Sequence, residues 1–320
     1  MKVLITGANG FLGRNLVSTL LGTTDFYLVG AVRGEGAVIS SRESYISVGD
    51  ISFDTDWHAA LSGVDVVIHL AARAHVLSES FRNPLYEFRR VNVGGAVSLA
   101  KQALEHRVKR FIFISSIGVN GGVTTNVSIN EKTPCLPHAD YAVSKMEAEE
   151  ELRTITRNSS MELVIIRPPL VYSSDAPGNF SRLLKAVDMG LPLPLGSVRN
   201  ARSIIALENL TDFIRVCVDN RAAGNELFLV SDGKSFSTPD IIRMIGRGMG
   251  KRSILLPVPD VFLRSMAAIF CRTPVYTQLC KSLVIDSSKA RSLLGWTPPI
   301  DPVDALVQAG TAYKFRKNSL

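Results

Sequence analysis

Short apolar runs alternate with longer amphipathic stretches through the first half of the chain. Runs rich in β-branched residues predict strands at 2–6, 26–32, 64–69, 110–115 and 163–167. Apolar residues at helical spacing predict helices at 11–21, 54–61, 84–106 and 140–157. Strands and helices that alternate in this way form βαβ units around a parallel sheet, which helices cover on both faces. The pattern therefore predicts an α/β fold with a doubly wound parallel sheet.

The pattern changes after the Arg-Pro-Pro sequence at 167–169. Residues 173–200 are rich in Pro, Gly and Ser and include a predicted helix at 180–189. Strand and helix patterns return at 202–206, 207–219 and 227–230. We expect a first domain over 1–172, to which 202–232 returns, and a smaller C-terminal α/β domain over the remainder of 173–320.

The composition excludes several classes of protein. A hydrophobic fraction of 46% is enough for a packed core, so a disordered chain is excluded. The four cysteines form no C-x-x-C pair, which argues against a disulfide scaffold or a metal site and fits a reducing compartment. The N-terminus lacks the apolar h-region of a signal peptide, and no segment has the apolar length of a membrane span. We therefore expect a soluble, cytoplasmic protein.

The net charge of +7 is concentrated in one part of the chain. Residues 240–291 contain nine basic and three acidic residues, a net charge of +6. Such a region attracts polyanions, including a phosphorylated small molecule, but it is equally consistent with solvated helix faces. No nucleic-acid-binding motif accompanies the charge, so we expect no nucleic-acid partner.

Within this basic region, 259–271 has the apolar spacing of an amphipathic helix. Its apolar residues are Val261, Phe262, Leu263, Met266, Ile269 and Phe270. We expect this helix to bury its apolar face in the C-terminal domain. The alternative is that the helix, with Arg264 and Arg272 beside it, docks weakly on a partner or on an anionic membrane surface.

The first predicted strand leads directly into a glycine-rich loop, Thr6-Gly7-Ala8-Asn9-Gly10-Phe11-Leu12-Gly13. Glycines at G-x-x-G-x-x-G spacing between a strand and a helix are typical of a dinucleotide-binding Rossmann fold. Gly7 permits the tight turn, Gly10 the approach of a pyrophosphate, and Gly13 the packing of helix on strand. The helix N-terminus then offers free N–H groups to the phosphates. The loop is therefore predicted to bind NAD or NADP through Gly7, Asn9, Gly10, Phe11, Leu12 and Gly13.

The end of the second strand helps to distinguish the two cofactors. A carboxylate there binds the adenosine ribose of NAD, whereas an arginine accommodates the 2′-phosphate of NADP. The position falls at Val32 or Arg33, and neither residue is acidic. Arg33 mildly favours NADP, unless it is simply a solvated loop residue.

Tyr141-Ala142-Val143-Ser144-Lys145 opens a predicted helix and places a phenol and an ammonium on one helix face. A free tyrosine has a pKa of about 10, which is too high for a base at neutral pH. A nearby ammonium or an oxidised nicotinamide favours the phenolate, so Lys145 can make Tyr141 a general acid and base. Ser116 follows a strand at the ligand edge of the sheet. Its hydroxyl can bind the same substrate oxygen, or it can merely cap the next loop.

Several motifs resemble, in order, those of the extended short-chain dehydrogenase/reductase family, and more narrowly of its NAD-dependent epimerase/dehydratase branch. They lie at 6–13, 67–72, 91–95, 113–116, 141–145, 167–172, 209–212 and 286–296. The resemblance extends over nearly the whole chain. It is far more specific for the fold and the cofactor class than for the substrate.

The resemblance implies roles for individual residues. The implied catalytic triad is Ser116, Tyr141 and Lys145, of which Lys145 also holds the nicotinamide ribose. The implied cofactor contacts are Asp50 and Ile51 at the adenine, Leu70, Ala71 and Ala72 at the pyrophosphate and ribose, and Asn92 on the cofactor side of the site. The implied substrate contacts, besides Ser116 and Tyr141, are Asn179 and Arg202 at the diphosphate and Leu283 at the gate of the sugar pocket. Leu283 is shorter than the tyrosine that gates some relatives, so we expect a 2-acetamido sugar to fit.

Two departures from the family pattern narrow the implied activity. Ile117-Gly118 replaces the Asp-Glu pair of family dehydratases, so dehydration is not expected. The Arg-x-Gly-Asp uridine-side motif is absent, and 280–286 resembles a subgroup of bacterial surface-polysaccharide synthesis. The resemblance implies an NAD(P)-dependent 4-epimerase of a UDP-hexose or UDP-N-acetylhexosamine, and we expect a homodimer. The alternatives are an NADPH-dependent 4-ketoreductase of a UDP-4-keto-6-deoxy-N-acetyl sugar and a catalytically inactive NADP-sensing module.

Overall fold

The computed structural model of the chain describes residues 1–74, 83–125 and 127–318. Its strands are β1 (Lys2–Thr6), β2 (Tyr27–Val32), β3 (Ala37–Ser40), β4 (Glu43–Ser47), β5 (Val66–His69), β6 (Arg110–Ile114), β7 (Glu162–Arg167), β8 (Leu170–Tyr172), β9 (Arg202–Ala206), β10 (Leu227–Leu229) and β11 (Ser235–Phe236). Its α-helices are α1 (Phe11–Thr23), α2 (His58–Leu61), α3 (Pro84–Phe88), α4 (Gly95–Glu105), α5 (Asp140–Thr156), α6 (Asn179–Asp188), α7 (Leu207–Asp219), α8 (Thr238–Gly248), α9 (Asp260–Ile269), α10 (Thr273–Cys280), α11 (Ser288–Leu294) and α12 (Pro302–Asn318).

An eight-stranded sheet has the order β3-β4-β2-β1-β5-β6-β7-β10. Its strands are parallel except β3, which runs antiparallel to β4 at one edge. From β4 to β7 the order is that of a Rossmann fold, with the reversal of strand order between β1 and β5. The predicted doubly wound α/β fold is confirmed. Ligands of such sheets bind beyond the carboxyl ends of the strands at this reversal.

Helices cover both faces of this sheet because alternate strand residues point to opposite sides. On one face, Ile5 of β1 belongs to a buried cluster with Leu16 of α1 and Phe213 of α7. On the other face, Leu4 belongs to a cluster with Leu99 of α4. Helices therefore cover both faces of the sheet, and a ligand reaches it at the loops that follow the strand ends.

A smaller sheet has the order β11-β9-β8 and packs with α6, α8 and α12 around a separate apolar cluster. The predicted segment 202–206 is a strand, but it pairs with β8 in this smaller sheet, whereas β10 joins the large one. The hairpin of β3 and β4 was not predicted. The predicted single helix at 84–106 is divided into α3, a π-helical turn at Arg89–Gly94, and α4. The domain limits themselves stay a prediction.

The amphipathic helix predicted at 259–271 forms as α9, but its apolar face is not covered. None of its ten residues is buried. The expectation that this face lies in the core of the C-terminal domain is therefore wrong. Among the described residues, no helix combines the length and the apolar character needed to cross a membrane.

Candidate active site

The glycine-rich loop joins β1 to α1 with the geometry that its glycines predict. Gly7 has a φ of +67°, and a Cβ there would lie 3.1 Å from the backbone of Ala71. At Gly13, a Cβ would overlap the carbonyl oxygen of Gly7, so glycine lets α1 pack closely on the loop. Gly10 precedes α1 and supplies no side-chain cap to its first turn. This cradle and uncapped helix N-terminus fit the pyrophosphate of a dinucleotide.

The other loop residues show how the glycine-rich loop is held between the core of the large sheet and the core of the smaller sheet. Asn9 is exposed, and its carbonyl oxygen accepts a hydrogen bond from Arg14 Nη1 at 2.8 Å. Leu12 packs against the core beneath the large sheet, whereas Phe11 packs against the core of the smaller sheet. The start of α1 is therefore anchored on both sides of the predicted cofactor loop.

Thr6 and His69 fix the chain where β1 and β5 end. They are register partners, and Thr6 Oγ1 lies 2.8 Å from His69 Nδ1. Thr6 Oγ1 also accepts a hydrogen bond from the backbone N–H of Ala71 at 3.1 Å. Burial lowers the pKa of His69 to about 3, so its ring is neutral. The segment containing Leu70, Ala71 and Ala72 is thereby held beside Gly7, where the resemblance places the pyrophosphate and ribose.

Asn92, in the π-helical turn, joins this segment to α5. Its Oδ1 accepts a hydrogen bond from the N–H of Arg73 at 2.8 Å. Its Nδ2 donates to the carbonyl of Arg73 at 3.1 Å and to Ser144 Oγ at 3.0 Å. The side chain is fully buried, so its amide organises the protein around the site. A contact from Asn92 to the cofactor stays a prediction.

The segments that carry the predicted catalytic residues pack together where β6 ends and α5 begins. Tyr141 and Lys145 lie on the first turns of α5, and the phenol packs edge-on against Phe88, with ring centroids 6.1 Å apart. A Cβ at Gly118 would lie 3.3 Å from both Ser116 Oγ and the methyl group of Ala142. The turn that follows Ser116 therefore packs against the first turn of α5. The Ser116 hydroxyl accepts a hydrogen bond from the N–H of Gly118 at 3.1 Å, so it caps this turn.

The pKa values of Tyr141 and Lys145 differ from the expectation drawn from the sequence. Burial raises the pKa of Tyr141 to about 12, rather than Lys145 lowering it. Burial lowers the pKa of Lys145 to about 7. The Lys145 ammonium donates to the carbonyl of Ile114 at 2.8 Å and lies 4.4 Å from the ring centroid of Phe113. The protein alone thus keeps Tyr141 a neutral phenol, which is suited to donate a proton.

A buried network beneath these residues was not predicted. Glu149 accepts hydrogen bonds from Arg167 Nε at 2.8 Å and from Ser115 Oγ at 2.5 Å. Arg167 Nη1 also donates to Asn120 Oδ1 at 2.8 Å. Glu149 follows Lys145 by four residues, so both lie on one face of α5. The sequence contained one signal for this network, because Glu149 is an acidic residue on the apolar face of a predicted helix.

The residues predicted at the adenosine lie after the carboxyl ends of β2 and β4. Arg33 follows β2 directly and is exposed, and Asp50 is exposed in the loop after β4. Ile51 is half-buried and packs against Gly95 at the start of α4. Since β2 and β4 are neighbours, Arg33 and Asp50 lie at the same edge of the sheet.

The predicted substrate residues surround the end of α10. Asn179 is the first residue of α6, and its Nδ2 donates to Gln278 Oε1. Arg202 Nη1 donates to the carbonyl of Lys281 at 3.0 Å. Leu283 forms a β-bridge with Arg202 and is buried in an apolar cluster that includes Ile117, the neighbour of Ser116. A gating role for Leu283 stays a prediction.

Comparison with known proteins identifies the family. Residues 3–230 match the model of the NAD dependent epimerase/dehydratase family. The chain belongs to this family.

Individual members of the NAD-dependent epimerase/dehydratase family resemble the chain along its length. A UDP-glucose 4-epimerase of Vibrio cholerae is 40% identical over 99% of this chain and 97% of its own length. The N-acetyl-α-D-glucosaminyl-diphospho-ditrans,octacis-undecaprenol 4-epimerase of Escherichia coli O157:H7 is 29% identical over 81% of this chain and 76% of its own. The structure of a UDP-glucuronic acid 4-epimerase from Bacillus cereus, in complex with NAD, has a TM-score of 0.79, 23% identity and 99% coverage of both chains.

Membership in the epimerase/dehydratase family confirms the resemblance that the ordered motifs carry. The chain is an enzyme of the extended short-chain dehydrogenase/reductase type, which uses a nicotinamide cofactor. The likeness to the Bacillus cereus structure supports the fold. The roles of single site residues stay predictions.

Proposed function

We propose that this enzyme is a UDP-sugar 4-epimerase that acts on a UDP-hexose or UDP-N-acetylhexosamine. The observation that carries the proposal is the 40% identity, over 99% of this chain, to a UDP-glucose 4-epimerase. The packing of the turn after Ser116 against the first turn of α5 supports it, because the proposed mechanism requires a second hydroxyl near the phenol of Tyr141.

In the proposed reaction, a nicotinamide dinucleotide held by the loop at Gly7, Gly10 and Gly13 would supply reversible hydride transfer at sugar C4. Tyr141, in its phenolate form, takes the proton of the C4 hydroxyl as the C4–H bond breaks, which leaves a 4-keto sugar and a neutral phenol. Ser116 donates a hydrogen bond to the C4 oxygen and keeps it beside the phenol. After the sugar turns over, Tyr141 returns the proton to that oxygen, so the C4 configuration is inverted. The positive charge of an oxidised nicotinamide, with Lys145 in its ammonium form, would oppose the effect of burial and favour the phenolate before the hydride leaves.

Asn179 and Arg202 are proposed to hold the diphosphate of the substrate. Asn179 contacts Gln278 and Arg202 contacts the carbonyl of Lys281, so both residues lie near the end of α10. Burial lowers the pKa of Arg202 below its ordinary value, but a guanidinium stays charged at neutral pH. A partly buried cation of this kind is a suitable partner for a phosphate.

The cofactor preference and the assembly are further parts of the proposal. Arg33 favours NADP mildly, because it lies exposed directly after β2. A preference for NADP would fit the alternative function, which is an NADPH-dependent 4-ketoreductase. The homodimer, the cytoplasmic location and the place in surface-polysaccharide synthesis stay predictions.

The test is to incubate the purified enzyme with UDP-glucose, UDP-GlcNAc and a UDP-4-keto-6-deoxy-GlcNAc pool, each with and without NADPH. NMR then identifies the products. Formation of the C4 epimer without added NADPH supports the proposal. NADPH consumption with the keto sugar alone would show a ketoreductase, and no turnover with a bound dinucleotide would favour a sensing module.

A further inference from the structure

Helix α9 presents large apolar side chains to solvent. Phe262 is 64% exposed, Ile269 72% and Val261 73%, and Met266 and Phe270 are also exposed. An exposed apolar cluster of this kind usually marks an interaction surface. The five residues, called here the α9 surface, lie within ten consecutive positions.

Only one side of α9 packs against the protein. Leu263 and Ala267 are its half-buried residues, and Leu263 contacts the core of the smaller sheet. Because an α-helix has 3.6 residues per turn, Val261, Phe262 and Ile269 lie on the face opposite this pair. The most exposed side chains of the α9 surface therefore point away from the protein.

Positive charge accompanies the α9 surface. Arg264 and Arg272 are exposed, and within 1–74, 83–125 and 127–318 no ion pair joins either of them to an acidic residue. Asp260 is the single acidic residue of α9, and it accepts a hydrogen bond from Tyr276 and pairs with Lys281. The sequence stretch 240–291, which contains α9, has a net charge of +6, although its lysines Lys251, Lys281 and Lys289 pair with Asp188, Asp260 and Glu226. The surface is thus apolar at its centre and basic at its edge.

We infer that the α9 surface docks this enzyme on an anionic lipid membrane. A helix lying in the membrane interface buries its apolar face, while arginines beside it reach the lipid phosphates. A second copy docked by two-fold symmetry would place the same arginines and the same basic region against each other. That like-charge contact favours the anionic bilayer over self-association.

The α9 surface lies close to the proposed diphosphate site. Helix α10 packs against α9, and its Gln278 accepts the hydrogen bond from Asn179. The next residue after α10, Lys281, accepts the hydrogen bond from Arg202. Docking would therefore hold the substrate side of the enzyme near the bilayer. This last point rests on the proposed function, whereas the docking itself does not.

The test is co-sedimentation of the full chain with vesicles at low salt. We expect binding to vesicles of phosphatidylcholine with phosphatidylglycerol, little binding to phosphatidylcholine alone, and release by added salt. The double variant Phe262→Ser/Ile269→Ser should bind about tenfold more weakly. Arg264→Gln/Arg272→Gln should lose the preference for the anionic lipid. The matched control is Val38→Ser/Ile39→Ser, which alters two exposed residues of β3 and should bind as the parent does.

Three results would overturn the inference. One is no binding of the parent to the anionic vesicles, and another is equal binding by the Phe262/Ile269 variant. The third is a dimer in sedimentation that this variant dissociates, because the surface would then be covered by a second copy. Turnover of a soluble UDP-sugar should be unchanged in the α9 variants. A failed epimerase assay would thus leave the vesicle result standing.

Discussion

Glu149 and Arg167 form a buried ion pair between β7 and α5, the helix that carries Tyr141 and Lys145. The two side chains share two hydrogen bonds, and both are almost completely shielded from solvent. Burial opposes ionisation of Glu149, but the bonds from Arg167 and Ser115 outweigh it and lower the pKa of the carboxyl. The pair therefore joins β7 to α5 next to the predicted catalytic residues.

Removing one member of this pair should destabilise the protein strongly. Arg167→Met leaves the buried Glu149 carboxylate with the half-exposed Arg153 as its remaining cationic partner, at an expected cost of up to about 3–5 kcal/mol in the free energy of unfolding. The double variant Glu149→Met/Arg167→Met should cost clearly less than the sum of the single variants, since no uncompensated charge remains. Urea unfolding measures all three. The exposed pair of Arg89 and Glu147 is the control, and its removal should change little. Additive single costs would contradict the interpretation.

Tyr141 and Lys145 should differ in their effects on cofactor binding. Tyr141→Phe should lower turnover by at least about a hundredfold, because it removes the proton donor and acceptor. It should leave the cofactor Kd nearly unchanged. Lys145→Ala should damage both turnover and cofactor affinity, because the lysine is predicted to serve the phenol and the ribose. Calorimetric titration with the four nicotinamide dinucleotides, together with the NMR assay, measures both quantities.

The exposed Lys101 of α4 provides the matched control for Lys145, and Lys101→Ala should behave as the parent does. Full activity in Tyr141→Phe would exclude the proposed mechanism. Absence of any dinucleotide binding below about millimolar would remove the cofactor role of the glycine loop.

Arg33 should contribute to the choice between NAD and NADP. Arg33→Asp should weaken NADP(H) binding and strengthen NAD(H) binding, because the carboxylate repels the 2′-phosphate and can accept from ribose hydroxyls. A change of about tenfold in the ratio of Kd values corresponds to about 1.4 kcal/mol. Arg221→Asp, at an exposed arginine after α7, is the control for the change in charge. An unchanged ratio of the Kd values would mean that Arg33 is a solvated loop residue without a role in cofactor choice.

His69 should make the protein sensitive to acid. Its pKa is about 3 in the folded protein, against an ordinary value of about 6.5, so the unfolded chain binds more protons between these values. Stability from this group is present above about pH 6.5 and is lost toward pH 3, by about 1.4 kcal/mol per pH unit. His69→Gln should flatten the decline in unfolding free energy between pH 7 and 5. His138→Gln, at an exposed histidine, should keep the slope of the parent.

Features of the site that depend on neighbouring residues could be predicted from the sequence. Contacts and burial that depend on distant segments of the chain could not. The turn at Gly7 and the packing at Gly13 follow from steric rules that act within a few residues, so they were predictable. The partnership of Glu149 with Arg167 joins residues 18 positions apart and depends on how β7 lies against α5. The exposure of α9 has the same origin, because helical spacing shows that an apolar face exists but not what covers it.

The last prediction concerns Leu283 and the sugar. Leu283→Tyr should lower kcat/KM for UDP-GlcNAc relative to UDP-glucose by about 10- to 200-fold, because the added ring would occupy the space predicted for the acetamido group. Leu283 is also buried with Ile129, Leu229 and Ile285, so a larger side chain carries an overpacking cost of about 1–3 kcal/mol. Ile285→Phe enlarges the same cluster and is the matched control. Thermal unfolding should show similar losses in both variants, whereas the ratio of the two kcat/KM values should change in Leu283→Tyr alone. An equal change in both would mean that Leu283 acts through packing, and an unchanged ratio would show that it does not gate the sugar.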